Sequence, residues 1–101
     1  MPRISINHST TQSADETFTR IRDFFQNDKD IKKMDSKLEI SFDEAKKTGK
    51  ANGSQFKASF EVKPASEGSS ITLIVDLPLL LTPFKGKVEE TVKAKLAKYL
   101  A

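Results

Sequence analysis

Apolar and polar residues alternate along several stretches of the chain, which is the pattern of strands that bury one face. The alternating stretches are residues 3–7, 38–42, 56–62 and 71–77. Residues 46–52 alternate weakly and contain Gly49, and we interpret them as a further, less regular strand. Residues 64–70 are rich in Pro, Ser and Gly, so we predict a turn there, before the last strand.

Two other stretches repeat apolar residues at helical spacing. Ser13, followed three residues later by Glu16, predicts a capped helix that begins near Ala14. The apolar positions of this helix are Ala14, Phe18, Ile21, Phe24 and Phe25. A second helix is predicted from about Lys87, with apolar positions at Phe84, Val88, Val92, Leu96, Tyr99 and Leu100. The charged residues 27–37 indicate a frayed helix end or a long loop.

The predicted elements follow one another in the order β-α-β-β-β-β-α. Consecutive strands with short connections favour an antiparallel sheet, and each helix has one apolar stripe to bury. The sequence therefore predicts one α+β domain over residues 1–101, with about four to five antiparallel strands and both helices on one face. This order partly resembles the helix-grip folds of lipid-binding proteins, in which a curved sheet holds a long C-terminal helix.

An apolar run interrupted by proline lies between the last strand and the second helix. Its large apolar residues are Leu79, Leu80, Leu81, Pro83 and Phe84. One interpretation is that they fill the end of the core, because a small domain needs every large side chain it has. The other is an exposed interaction surface that docks onto an apolar partner, such as an amphipathic helix or a second copy of the chain.

The second helix also carries a set of lysines. Lys93, Lys95 and Lys98 lie mostly off its apolar stripe. They form a candidate basic face that would lie on an anionic surface, as basic amphipathic helices do. The alternative is that the helix packs on the sheet and its lysines are solvated.

Composition and charge narrow the classes of partner. The chain has 101 residues, of which 17 are basic and 14 acidic, giving a net charge of +3. Most basic residues are Lys rather than Arg, and aromatic residues are absent from the polar strand faces, so nucleic-acid binding is not expected. The absence of cysteine favours a reducing cytoplasm. No signal peptide and no apolar run of ~20 residues is present, so we expect a cytoplasmic protein without a transmembrane segment.

No motif in the sequence indicates catalysis. His8 is the sole histidine, and nothing nearby signals the orienting group and oxyanion site that a nucleophile and base would need. Zinc-binding HExxH, acidic calcium loops and glycine-rich phosphate loops are absent. The pair Glu89 and Glu90 suits the positive end of the helix dipole. We therefore predict no catalytic residue, no metal site and no cofactor, and hence a binding protein rather than an enzyme.

The C-terminal part of the chain resembles a known family. The most specific residues are Asp76-Leu77-Pro78 followed by Leu79-Leu80-Leu81-Thr82-Pro83-Phe84-Lys85-Gly86-Lys87-Val88-Glu89-Glu90. This string is similar to the polyhydroxyalkanoic acid system family of small bacterial proteins, also called polyhydroxyalkanoate granule region proteins. There, a final strand runs into an apolar segment, a Pro-Phe-Lys-Gly-like turn and a terminal helix that opens with an acidic pair. The resemblance implies a storage-granule context and supplies no catalytic residue.

Two functional hypotheses follow from these patterns. The first is a non-enzymatic accessory protein that binds a polyhydroxyalkanoate granule, a granule protein or another apolar surface. Under this hypothesis the apolar run could also join two copies of the chain in a homodimer. The alternative is a small START-like carrier that holds an apolar ligand in a cavity between the sheet and the C-terminal helix. The two differ in the expected interior, because a carrier needs a cavity and an accessory protein does not.

Overall fold

The structure is a computed structural model that describes residues 3–29, 33, 37–54 and 56–100. Its elements are β1 (Arg3–Thr10), α1 (Ala14–Asn27), β2 (Glu39–Asp43), β3 (Thr48–Asn52), β4 (Lys57–Ala65), β5 (Gly68–Asp76), a 3-10 helix (Leu79–Phe84) and α2 (Lys85–Tyr99). The predicted α+β class and element order are confirmed. The interpretation of residues 27–37 as a frayed helix end or loop falls largely outside the described residues.

The five strands form one antiparallel sheet in the spatial order β1-β5-β4-β3-β2. Strands β2 to β5 follow one another as neighbours, and the first strand pairs with the last. Because β1 and β2 lie at opposite edges of the sheet, the chain must cross one face between them. Helix α1 makes this crossing and packs its apolar side on β4 and β5.

The pairing register aligns inward-facing side chains in rows across the sheet. One row, which we call the phenylalanine row, consists of Ile6, Leu73, Phe60, Gly49 and Phe42. The next, which we call the alanine row, consists of Ile4, Val75, Ala58, Ala51 and Ile40. The first row therefore has two large rings in its half nearest β2, whereas the second has two methyl groups at its centre.

Helix α1 fills the space above the phenylalanine row. The ring of Phe25 stacks on that of Phe60 at a centroid distance of 5.3 Å, and Phe18 lies 6.3 Å from Phe42 in a T-shaped arrangement. Gly49 is required between the two strand phenylalanines, because a Cβ atom there would overlap the Phe60 ring. This packing explains why β3 contains a glycine and shows only a weak strand pattern in the sequence.

The N-terminus of α1 is capped as predicted. The Ser13 Oγ atom accepts a hydrogen bond from the backbone N–H of Glu16 at 3.2 Å. One buried position was missing from the predicted apolar stripe: Thr17, whose hydroxyl lies 2.6 Å from the Ser69 Oγ atom. Ser69 in turn donates to the carbonyl oxygen of Gln12 at 2.9 Å. The buried hydroxyl groups are thus paired, which allows a polar residue on the packed side of α1.

The turn predicted over residues 64–70 is shorter than expected. Only Ser66 and Glu67 lie outside the strands, and Pro64 belongs to β4. The last pair between β3 and β4 joins Thr48 to Glu61. Pro64 therefore lies beyond the end of β3, where its missing N–H removes no bond between these two strands. Hairpin pairing with β5 continues past the proline.

The apolar run before α2 forms the 3-10 helix. The backbone N–H of Leu81 donates to the carbonyl of Pro78 at 3.0 Å, and the Thr82 hydroxyl donates to the carbonyl of Leu79 at 2.7 Å. Pro83 has no N–H to extend this pattern, which suits a short 3-10 segment. Helix α2 then begins at Lys85, slightly earlier than predicted.

Helix α2 is anchored to the rest of the domain through its C-terminal end. Leu96 and Leu100 are buried, whereas Val88 and Val92 in the N-terminal half are only half-buried. The carbonyl oxygen of Leu100, just past the helix, accepts hydrogen bonds from the Gln12 side-chain amide at 3.0 Å and the Thr10 hydroxyl at 3.3 Å. These bonds satisfy a carbonyl that the helix itself leaves without a partner.

Candidate ligand-binding cavity

A cavity of about 380 Å³ lies between the sheet and the two helices. The sheet side is formed by Ala51, Ala58, Leu73 and Val75, and α1 contributes Phe24 and Phe25. The opposite side is formed by Phe84 and by the α2 residues Lys87, Val88, Thr91, Val92 and Lys95. Leu38 and Phe56 also line the cavity.

The cavity results from short side chains under a helix that is fixed at one end. Ala51 and Ala58 pair directly across β3 and β4 in the alanine row, so this part of the sheet presents only methyl groups. Above them, Val88 and Val92 belong to the half of α2 that is not buried. The side chains of neither layer are long enough to fill the space between them.

Among the described residues that line the cavity, only three side chains are polar, and all three are on α2. These are Lys87, Thr91 and Lys95, and no acidic residue is among the described residues that line the cavity. An apolar enclosure with a few polar groups on one side is the usual composition of a small-molecule site. The polar groups of such a site orient the ligand, whereas the apolar surface supplies most of the affinity.

Lys95 is ion-paired at the end of the cavity where α2 meets α1. Its Nζ atom lies 3.0 Å from Oδ2 of Asp28, and the Tyr99 hydroxyl donates to the same oxygen at 3.3 Å. The Asp28 side chain is only 6% exposed, and a buried carboxylate is costly unless cations and hydrogen-bond donors pair with it, as Lys95 and Tyr99 do. The Phe24 and Tyr99 rings pack beside the pair at a centroid distance of 4.9 Å. This cluster fixes the C-terminal half of α2 against the end of α1.

Lys87 lies at the other end of the cavity and is exposed. Among the described residues, no carboxylate lies within ion-pair distance of its Nζ atom. A lysine at such a position covers apolar surface with its methylene groups while its ammonium group stays in water. Within the described part of the chain, the exposed end of the cavity therefore carries a positive charge that has no ion-pair partner.

The predicted apolar interaction surface is largely on the outside of the molecule. Leu79 is 73% exposed, Leu80 is 88% exposed and Phe84 is 54% exposed, and Pro83 is exposed as well. Leu81 is half-buried and packs against the core, so the interpretation as a filler of the core holds for this residue alone. Phe84 also lines the cavity, which places the exposed segment next to the cavity opening.

The predicted basic face is not a single surface. Lys93 and Lys98 are exposed, whereas Lys95 pairs with Asp28 beside the cavity. The reason is helical rotation, since two residues of an α-helix correspond to about 200° around its axis. Lys95 thus lies nearly opposite Lys93, so the three lysines do not share one face of α2.

The remaining candidate chemistry stays dispersed. His8 is half-buried on β1, opposite Ile71 of β5. Within the described ranges, histidine and acidic residues form no cluster that could hold a metal ion. No helix among the described residues has both the length and the apolar character needed to cross a bilayer.

Comparison with known proteins identifies a similar fold. The structure superposes on the crystal structure of TTHA0849 from Thermus thermophilus with a TM-score of 0.62 at 12% sequence identity. The match covers 98% of this chain and 94% of that chain. No family model and no curated protein matches the sequence. At this level of identity the similarity concerns the fold alone.

Proposed function

We propose that this protein binds an apolar small molecule in the cavity between its sheet and α2, and that it acts as a carrier rather than an enzyme. The observation that carries this proposal is the cavity itself. Its volume of about 380 Å³ falls within the range of small-molecule sites, roughly 300–1,000 Å³. Leaving Phe24, Phe25 and Val92 incompletely packed lowers stability, and a bound ligand would restore those contacts.

The first test is binding of a neutral apolar fluorophore, N-phenyl-1-naphthylamine, to wild type and to matched variants. Ala58→Phe places a ring in the cavity, so we expect probe binding to be lost. Ser59→Phe adds the same ring at the next residue of β4, which faces the other side of the sheet, so it should bind like wild type. Val92→Phe fills the cavity from the helix side, so the test still holds if Ala58→Phe does not fold. Equal probe binding by all four proteins would contradict the proposal.

A second candidate function is docking of the exposed apolar segment onto an apolar surface. The observation in its favour is the exposure of Leu79, Leu80 and Phe84 on one short 3-10 helix, since adjoining exposed apolar residues mark interaction sites. The sequence resemblance suggests a polyhydroxyalkanoate granule as that surface, with a granule protein or a second copy of the chain as other partners.

This docking hypothesis is tested by sedimentation with isolated polyhydroxyalkanoate granules. A variant with Leu79→Asp and Leu80→Asp is expected to remain in the supernatant while wild type pellets. The control carries Ala65→Asp and Ser66→Asp, two neutral exposed positions near the β4–β5 turn that receive the same charge. If wild type does not pellet, or if both variants pellet like wild type, the apolar segment is not a granule-docking surface.

A further inference from the structure

The two lysines that line the cavity differ in their charge environment. Lys95 has Asp28 as a partner, whereas Lys87 has no carboxylate partner among the described residues. The eight residues between them correspond to about 12 Å along the helix axis, so they mark opposite ends of the cavity. The paired lysine lies toward the anchored end of α2, and the unpaired one lies where the cavity meets solvent.

We infer that the ligand is an amphipathic monoanion, with an acyl chain in the cavity and a carboxylate beside Lys87. This inference rests on the proposed function and adds the chemical class of the ligand. An apolar chain gains free energy by leaving water for the surfaces of Ala58, Val75 and Val92. A carboxylate must keep its solvation, so it stays at the rim, where the ammonium group of Lys87 is the nearest complementary charge on the lining.

The charge distribution also selects against other head groups. No acidic side chain lines the cavity among the described residues, so nothing there would recognise an amine or a cationic head group. Thr91 offers only a hydroxyl, which already donates to the carbonyl of Lys87 at 2.9 Å. The volume lies near the lower end of the range for small-molecule sites, which favours one medium-length chain over the two chains of a phospholipid.

The test compares decanoate with decanol as competitors of the neutral probe N-phenyl-1-naphthylamine at low ionic strength. The two ligands share one chain and differ in the head group, so the ratio of their affinities reports the head-group contact. Lys87→Gln is expected to lower the decanoate-to-decanol affinity ratio about two- to fivefold, the size of an exposed ion pair. Added salt should shrink this difference, because it screens exposed charges.

Lys93→Gln is the matched control. It removes the same charge from the same helix at an exposed position that does not line the cavity, so its affinity ratio should equal that of wild type. Within the series octanoate, nonanoate and decanoate, each added methylene should raise affinity about fourfold until the cavity is filled. Circular dichroism establishes that each variant is folded.

The outcomes separate the two proposals. If decanoate and decanol both displace the probe and Lys87→Gln lowers the ratio while Lys93→Gln does not, the monoanion inference is supported. If both ligands bind but the ratio is the same in wild type and Lys87→Gln, the inference about the head group is overturned and the cavity remains a ligand site. If the probe binds but neither ligand displaces it, the inference of an acyl-chain ligand is overturned and the cavity remains a site for another apolar molecule. If the probe binds equally to wild type and to the cavity-filling variants, the proposed carrier function fails as well.

Discussion

Small residues on the inner face of the sheet have two opposite effects on packing. Gly49 leaves space that the ring of Phe60 occupies, so the phenylalanine row is filled. Ala51 and Ala58, one row away, leave space that lines the cavity instead. The difference lies in the opposite layer, because α1 places rings over the first row and α2 places half-buried valines over the second.

Gly49→Ala tests the filled row. The added methyl group would overlap the Phe60 ring between two strands, so we expect destabilisation of about 1–3 kcal/mol, as for other overpacked cores. Gly86→Ala is the control, because a Cβ atom at this helical position meets no other atom within 4 Å. That change should raise the free energy of unfolding by up to about 1 kcal/mol. Urea denaturation measures the free energy of unfolding of both variants. If Gly49→Ala leaves it unchanged, the Phe60 ring can move aside and the row is not tightly packed.

The ion pair between Arg3 and Asp76 gives a prediction about pH. The two side chains join the ends of β1 and β5, with Nε and Oδ1 2.8 Å apart, and the hydrogen bond from Arg3 lowers the pKa of Asp76. A carboxyl group whose pKa is lowered on folding contributes stability above its unfolded pKa, and this contribution is lost as pH falls through the folded value. Asp76→Asn should therefore lower the urea midpoint at neutral pH. The difference from wild type should disappear well below about pH 4.

Single residues of the cavity were only partly predictable from the sequence. The alternating pattern assigned Ala58 to an inward face, but nothing in it showed that Ala51 would be the cross-strand neighbour, since that depends on the register. Val88 and Val92 were correctly placed on the apolar side of α2, yet that side faces a cavity rather than a packed sheet. The role of Lys95 was missed because its partner, Asp28, is far away in the sequence.

Among the elements, α2 has two halves with different surroundings. Its C-terminal half is held by buried Leu96, by the pair of Lys95 with Asp28 and by hydrogen bonds to the carbonyl of Leu100. The carbonyl of Tyr99 also accepts from the Arg20 guanidinium at 3.3 Å, a favourable position for a cation at a helix C-terminus. The N-terminal half contacts mainly the 3-10 helix and the cavity, so its position relative to the sheet is the less constrained of the two.

The anchoring of α2 is tested by Asp28→Asn. This change removes the Asp28 carboxylate from beside the partly buried Lys95 ammonium, so we expect a loss of about 1–3 kcal/mol in the free energy of unfolding. Lys95→Met removes the charge instead, and the double variant should be more stable than the sum of the two single losses predicts. A double-mutant cycle by urea denaturation measures this coupling. Strict additivity would mean that the pair does not hold the helix.

The elements themselves were more predictable than their boundaries. Strands and helices differ in apolar period, which is a local property, so all the strands and both long helices were located correctly. The turn over residues 64–70 was overestimated because Pro64 reads as a turn signal, whereas β4 outlasts β3 and tolerates it. The 3-10 helix was not predicted as an element, since its local bonds depend on Pro78 just before it and on Pro83 within it.

At the scale of the whole molecule, the sheet, α1 and the anchored end of α2 form the filled part of the domain. The cavity and the exposed segment with Leu79 and Leu80 lie together at the other end of α2. Phe84 belongs to both, so a surface that contacts Leu79 and Leu80 would also adjoin the cavity opening. The carrier and docking proposals therefore concern one region of the molecule and are compatible with each other.

A variant with a filled cavity should keep its thermal stability and lose its ability to bind a ligand. A ligand that binds only the folded state stabilises it by about 2.7 kcal/mol at one hundred times its Kd. For a domain of this size, decanoate at that excess should raise the Tm of wild type and of Ser59→Phe by about 10–20 °C.

Ala58→Phe should show no decanoate-dependent rise in Tm, while its Tm without ligand equals or exceeds that of wild type because the new ring occupies the cavity. A packing defect would instead lower the Tm of the free variant. Differential scanning calorimetry with and without decanoate distinguishes these cases. A full ligand-dependent shift in Ala58→Phe would locate decanoate elsewhere, and the exposed Leu79 and Leu80 would then be the next residues to vary. If Ala58→Phe is as stable as wild type but shows no decanoate-dependent rise in Tm, the fold does not require an empty space over Ala58. That result would support the proposal that this space is a ligand site.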